Sequence, residues 1–165
     1  MLKKIILPLA LLATLAAGCA PAMAPTVGAK APDIELFDLD NHIVRLSDYS
    51  DRPVIINFWG TQCIYCLNEM AELETAFRQE SVKADGVVFL TVNVQDTAAT
   101  ARAFMANNGY TMPALMDAGG RAAQAYGIYA IPVTFLINRA GTISYIKLGS
   151  FVSLDEINAA LDKVR

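Results

Sequence analysis

Two cysteines three residues apart, Cys63 and Cys66, are the residues of this chain whose type and spacing can do chemistry. The apolar run Val54-Ile55-Ile56 leads into Asn57-Phe58-Trp59, Gly60 breaks it, and helical spacing begins at Leu67. The pair is therefore predicted to lie between a buried parallel strand and the first turn of a helix. A helix start offers unpaired backbone N–H groups and the positive end of the macrodipole, both of which favour a thiolate on Cys63. Cys66, one turn further on the same face, can attack a mixed disulfide formed at Cys63. The chemistry is thiol-disulfide exchange, with Cys63 attacking and Cys66 resolving.

The same spacing also suits half of a zinc site or an inert local disulfide. A structural zinc site wants four Cys or His ligands, and beyond the pair the chain holds only Cys19 and His42. A loop this short constrains the unfolded chain little, which argues against a purely structural bridge.

The elements around the pair read as an α/β domain. After the cysteines, Leu67, Met70, Leu73, Ala76 and Phe77 form an apolar stripe, with Glu69, Glu72, Glu74 and Arg78 placed on other faces and Met70 in the core. Gly86 introduces Val87 to Val94 as a second buried strand, and Thr97 to Asn108 reads as a helix stopped by Gly109. Such an order implies a parallel crossover. Further on, Pro132 opens the apolar run Val133 to Ile137, Asn138-Arg139-Ala140-Gly141 reads as a turn, and Thr142 to Lys147 returns as an antiparallel partner. Ser153-Leu154-Asp155-Glu156 is a capping-box pattern before a closing helix with Ile157, Ala160, Leu161 and Val164 on its apolar face.

Upstream, Ile34-Glu35-Leu36-Phe37 and Ile43-Val44-Arg45-Leu46 can pair around Asp38-Leu39-Asp40-Asn41. His42, on that turn, reads as a solvated residue. Asp96, just after the second strand, is a favoured residue type for capping the next helix.

Residues 31–165 resemble the thioredoxin superfamily, and within it the TlpA/ResA-like thiol-disulfide oxidoreductases. The resemblance rests on Asn57-Phe58-Trp59-Gly60-Thr61, the Cys63/Cys66 pair, Glu69-Met70 after it, and Ile131-Pro132-Val133-Thr134-Phe135-Leu136-Ile137. It implies a central mixed β-sheet flanked by helices with an N-terminal β-hairpin addition. It also implies catalytic Cys63 and Cys66, a cis Ile131-Pro132 bond, and substrate contacts from Trp59, Gln62, Tyr65, Ile131 and Pro132. An acidic residue often stands at the place of Asp96 in this pattern, which implies proton exchange with Cys66 as the alternative to a cap. No cofactor beyond the Cys63-Cys66 disulfide and no metal is implied.

The chain departs from the pattern at three places. Gln62 stands where Trp is common, Ile64 where Glu is frequent, and Tyr65 where Pro usually precedes the second cysteine. A proline there would remove a backbone N–H, so Tyr65 is expected to restore a donor to the Cys63 sulfur and stabilise the reduced pair. The opposing expectation is that its ring shields the sulfurs and disfavours the thiolate.

The first 18 residues read as a leader: Lys3 and Lys4, the apolar stretch Ile5 to Ala17, then Gly18-Cys19. The apolar part is too short for a confident membrane span. Leu15-Ala16-Ala17-Gly18-Cys19 resembles a bacterial lipobox, with Ala16 where Leu is usual, and implies lipidation of Cys19 after cleavage; the alternative is secretion with cleavage after Ala20, Ala22 or Ala24. Lipidating Cys19 removes the odd thiol of three and leaves one pair. Residues 19–30, with Pro21, Pro25 and Gly28 among small residues, read as a flexible tether holding the domain off the membrane.

Removing 18 of the 165 residues leaves 147, enough for one domain with a real core. Without Lys3 and Lys4 there are 11 basic and 16 acidic residues, a formal charge of −5, which does not invite nucleic acid. The expectation is an exported, lipid-anchored, monomeric thiol-disulfide oxidoreductase at the cell envelope. By resemblance it reduces protein disulfides, for example those of apocytochrome c during cytochrome c maturation, with electrons from a membrane thiol reductant of the DsbD/CcdA type. Two alternatives stand beside it. A thiol peroxidase is expected to carry Thr three residues before its reactive cysteine, where this chain has Gly60; a non-catalytic or copper-handling module would want more His or Cys.

Overall fold

The computed structural model describes residues 24–165. The lipidation site Cys19 and the leader lie outside the described residues. A seven-stranded mixed sheet forms the centre, in the order β2-β1-β5-β4-β3-β6-β7. Its strands are β1 (Glu35–Asp38), β2 (Ile43–Arg45), β3 (Val54–Trp59), β4 (Val88–Asn93), β5 (Ala114–Met116), β6 (Val133–Ile137) and β7 (Ile143–Leu148). The helices are α1 (Ile64–Ser81), α2 (Ala98–Asn108), α3 (Arg121–Ala125) and α4 (Leu154–Leu161).

β3 lies between β4, parallel, and β6, antiparallel, and every one of its residues is buried. Its side chains alternate between two cores, as a strand covered on both faces requires. Ile55 and Trp59 pack with Cys66, Met70 and Leu73 of α1, Ala101 and Met105 of α2 and Ile157 and Leu161 of α4. Val54, Ile56 and Phe58 pack on the other face with Ala122 and Tyr126, where the Tyr126 and Phe135 rings meet edge to face at 4.8 Å. The sheet thus carries α1 with its N-terminus at the end of β3, where Gly60 breaks the strand.

The expected hairpin forms, with Glu35 opposite Arg45 and Phe37 opposite Ile43. It is more than an appendage, because β1 also pairs antiparallel with β5 and so joins the main sheet. β5 and α3 escape sequence patterning: three and five residues respectively are too few for a period to show.

Residues 24–30 are held, which differs from the expected free tether. Gly28 N–H donates to the Ile143 carbonyl and Ile143 N–H to the Ala29 carbonyl, each at 2.9 Å, and Lys30 bridges Thr142 in antiparallel fashion. Backbone pairing with β7 thus replaces solvent at this end of the segment.

Two acidic residues placed outside the apolar stripe of α1 are buried. Glu74 accepts from Thr111 N–H, Thr111 Oγ1, Met112 N–H and Arg78 Nε, so it ties α1 to the chain before β5. Glu69 is fully buried and belongs to the site below. The capping box of α4 is half made: Ser153 Oγ accepts from Glu156 N–H, whereas the Glu156 carboxylate accepts from Val152 N–H instead of the cap.

Candidate active site

Cys63 is the N-cap of α1, in extended conformation, and is joined to Cys66 by a disulfide with Cα atoms 5.2 Å apart. The N–H of Cys66 donates to Cys63 Sγ at 3.1 Å, so the sulfur serves as the helix cap. Cys63 is half-buried, whereas Cys66 is fully buried against Met70 and Leu73. Only the first sulfur faces an incoming partner.

The Ile131-Pro132 bond is cis. The Ile131 carbonyl oxygen lies 3.5 Å from Cys63 Sγ, which brings the segment before β6 against the reactive end of α1. Ile131 and Pro132 line a groove with Gly127, Tyr129, Ala130, Val133, Leu148 and Gly149. Gln62, Ile64 and Tyr65 are exposed beside the disulfide. Five of the residues expected to act on substrate therefore converge: Cys63, Gln62, Tyr65, Ile131 and Pro132.

Trp59 does not join them. Its side chain is fully buried and its ring packs on Phe104 of α2 at 5.4 Å, because the alternation of β3 turns it into the core. It supports the loop from beneath and has no surface to offer a substrate.

The Tyr65 expectation is also corrected. The amide that reaches Cys63 Sγ belongs to Cys66, which is present whatever residue stands at 65. Of the first-turn N–H groups that can reach a cap at position 63, the third, that of Cys66, makes the bond.

Asp96 is not the cap of α2; Thr97 is, its Oγ1 accepting from Thr100 N–H. The Asp96 carboxylate accepts from Thr61 N–H at 2.8 Å, from Thr61 Oγ1 at 2.6 Å and from Asn93 Nδ2 at 2.7 Å. Partial burial opposes ionisation, but these three donors outweigh it and hold the carboxyl below its usual range. Its described hydrogen bonds go to Thr61 in the loop before Cys63 and to Asn93 at the end of β4, and none goes to Cys66.

Glu69 is the site residue that patterning missed. It lies one turn beyond Cys66 on the same face of α1, accepting from Asn57 Nδ2 at 2.8 Å and from Phe151 N–H at 2.7 Å. Asn57 Nδ2 also donates to Thr134 Oγ1 at 2.9 Å. Burial pushes the Glu69 carboxyl up to about 7, and the bonds from Phe151 and Asn57 and the charge of Lys147 only partly offset it. The available signal was Asn57, a polar residue inside an otherwise apolar strand, which requires a buried partner.

Among the described residues no group of three or more His, Cys, Asp or Glu is placed to hold a metal ion, and no helix is long and apolar enough to cross a membrane. His42 is exposed on the hairpin turn, 3.2 Å from Asp38 Oδ2.

The chain is similar to known proteins over most of its length. Residues 27–146 match the AhpC/TSA family. The thiol-disulfide oxidoreductase ResA of Geobacillus kaustophilus is 34% identical over 142 residues, covering 86% of this chain and 80% of that protein. ResA of Bacillus subtilis is 31% identical over 123 residues, covering 74% and 68%. Among solved structures, a putative thiol:disulfide interchange protein DsbE from Chlorobium tepidum superposes with a TM-score of 0.74 at 26% identity, over 84% of this chain and 99% of that one. StoA from Bacillus subtilis shares the fold, with a TM-score of 0.68 at 21% identity over 78% and 96%. With its sulfur pair at the head of α1 and these relatives across most of its length, the chain belongs to the AhpC/TSA family and is a thioredoxin-like thiol-disulfide oxidoreductase of the ResA type.

Proposed function

We propose that this oxidoreductase is exported, is held at the cell envelope by a lipid on Cys19, and reduces protein disulfides through Cys63 and Cys66. The observation that carries the reading is the asymmetry of the pair: one sulfur is reachable at the helix start and the other is sealed behind it. In the reduced protein the Cys63 thiolate attacks a substrate disulfide and one substrate sulfur leaves as a thiol. The Cys66 thiolate then attacks Cys63 Sγ, the second substrate thiol is released, and two electrons have passed to the substrate. Ile131 and Pro132 hold the substrate segment beside Cys63, with Gln62 and Tyr65 on the other side.

Each turnover moves protons at Cys66, which is closed to water. Glu69, one turn away and titrating near neutrality, suits that exchange better than Asp96, whose carboxylate is kept ionised by Thr61 and Asn93. Asp96 instead clamps the loop that presents Cys63. The substrates proposed are extracytoplasmic protein disulfides such as those of apocytochrome c, and the electrons come from a membrane thiol reductant of the DsbD/CcdA type. The disulfide itself is the only redox group the reaction calls for.

An insulin-reduction turbidity assay tests the reading, with peroxide consumption measured alongside. Wild type should reduce insulin, Cys63→Ser should be inactive, and Cys66→Ser should accumulate a mixed disulfide with its substrate. Peroxide consumption without insulin reduction would replace the reading by a peroxidase.

A further inference from the structure

A cavity of about 380 Å³ lies at the end of the sheet away from the disulfide. Val54, the first residue of β3, and Ile137, the last of β6, line it together with Leu46 and Tyr49 of the helical turn Leu46–Tyr49. The length of β3, roughly 17 Å of strand, separates Val54 from Trp59, so the exchange chemistry at Cys63 does not use this space. The volume falls within the range of small-molecule sites, roughly 300–1,000 Å³. It has room for roughly a dozen water molecules at ~30 Å³ each, which suits a ligand of one or two residues and not a folded partner.

Five charged side chains also line the cavity: Lys30, Arg52 and Arg139, and the carboxylates Asp33 and Asp51. Among the described residues none of the five forms an ion pair with another. Lys30, Asp33, Asp51 and Arg52 have no oppositely charged partner at all, and Arg139 reaches only Asp85, outside the cavity, at 4.0 Å. By contrast Arg45 and Arg78 hold Glu35 and Glu74 at 2.7 Å.

Four of the five heads are nevertheless fixed. Lys30 Nζ donates to the Ala140 carbonyl, Arg139 Nη1 to the Asp51 carbonyl at 2.9 Å and Arg52 Nη2 to the Gly86 carbonyl at 3.1 Å. Asp33 Oδ1 accepts from Ser47 N–H at 3.0 Å. These backbone partners are neutral, so they position the side chains and leave both signs of charge uncompensated.

We propose that this cavity binds a small zwitterion with an apolar side chain, an amino acid or a dipeptide. Its carboxylate meets Lys30, Arg52 and Arg139, where charge-assisted hydrogen bonds replace water. Its ammonium group meets Asp33 and Asp51, and its side chain covers Leu46, Tyr49, Val54 and Ile137. A purely anionic ligand would be repelled by the two carboxylates and a purely cationic one by the three cations. A dipolar ligand answers both.

The test is calorimetric titration of the full, oxidised chain in mild detergent with L-leucyl-L-leucine, its N-acetyl derivative and its C-terminal amide. The free dipeptide should bind saturably, and capping either end should weaken it at least about fivefold, the loss of one solvent-facing ion pair. Arg139→Gln and Asp33→Asn should each weaken the free dipeptide to a similar extent and leave insulin reduction unchanged. Tyr129→Ala, in the groove beside Cys63, should leave dipeptide binding as it is. Equal binding of the three ligands, unchanged binding by both Arg139→Gln and Asp33→Asn, weakening by Tyr129→Ala, or no saturable heat up to about 20 mM would each overturn the proposal.

Discussion

Asn57 and Glu69 meet where β3 passes beneath α1: Asn57 Nδ2 donates to Glu69 Oε1 at 2.8 Å, and neither residue reaches solvent. A carboxyl in that position keeps its proton to about pH 7, whereas in the unfolded chain it releases it near 4.5.

That difference predicts a pH dependence of stability. Below pH 4.5 both states hold the proton and the contribution is complete. Between about 4.5 and 7 only the folded state holds it, so stability falls as pH rises, by roughly 3 kcal/mol in all. Glu69→Gln removes the titration. Denaturant unfolding of both proteins from pH 5 to 8 should show wild type losing stability relative to the variant as pH increases, and a constant difference would contradict the assignment.

Cys63 should react first. It is the half-buried sulfur of the pair, and Cys66 is sealed beneath it. Brief alkylation of the reduced protein, followed by peptide mapping, should find the label on Cys63 with at least tenfold preference. Predominant labelling of Cys66 would reverse the roles of the two cysteines.

Tyr65→Pro should change the redox equilibrium little. The Cys66 N–H keeps its bond to Cys63 Sγ, and a bond to a charged sulfur is worth about 1.5–3 kcal/mol, so losing it would shift the constant more than tenfold. The glutathione-coupled equilibrium constant of the variant should stay within tenfold of wild type.

Gly127→Ala should loosen the N-terminal segment, residues 24–30, because Ala24 lies against Gly127. A left-handed residue with a Cβ costs roughly 1–2 kcal/mol, and this Cβ also meets Ala24. Limited proteolysis should then cut before Ala31 several times faster than in wild type.

Much of this architecture was legible in the chain because its signals are long or chemically loud. Val54 to Trp59, the stripe of α1 and the run after Pro132 each carry enough residues for their period to show. The Cys63/Cys66 spacing names its own chemistry. Trp59, Glu69 and Asp96 were misplaced for one shared reason: their roles depend on which face of a strand or helix meets which neighbour. Helical spacing put Glu69 outside the apolar stripe, and only the depth of Asn57 in the sheet explains why a carboxyl is welcome there. Asp96 looked like a cap because Asp often is one, but Thr97 was a residue nearer the helix and the loop at Thr61 offered more donors.

The pairing of Gly28–Ala31 with β7 bears on how copies of the chain avoid one another. β7 is the outermost strand on its side of the sheet, and an open strand edge is a template on which another chain can add. Here the first residue of that edge, Ile143, is already bonded to the backbone of Gly28 and Ala29, and Ala24 and Pro25 line a shared pocket with Ile146 and Leu148 at its end. A protein shortened to begin at Ala31 would keep its disulfide and its helices, yet it would expose a sticky border and be prone to aggregate through it.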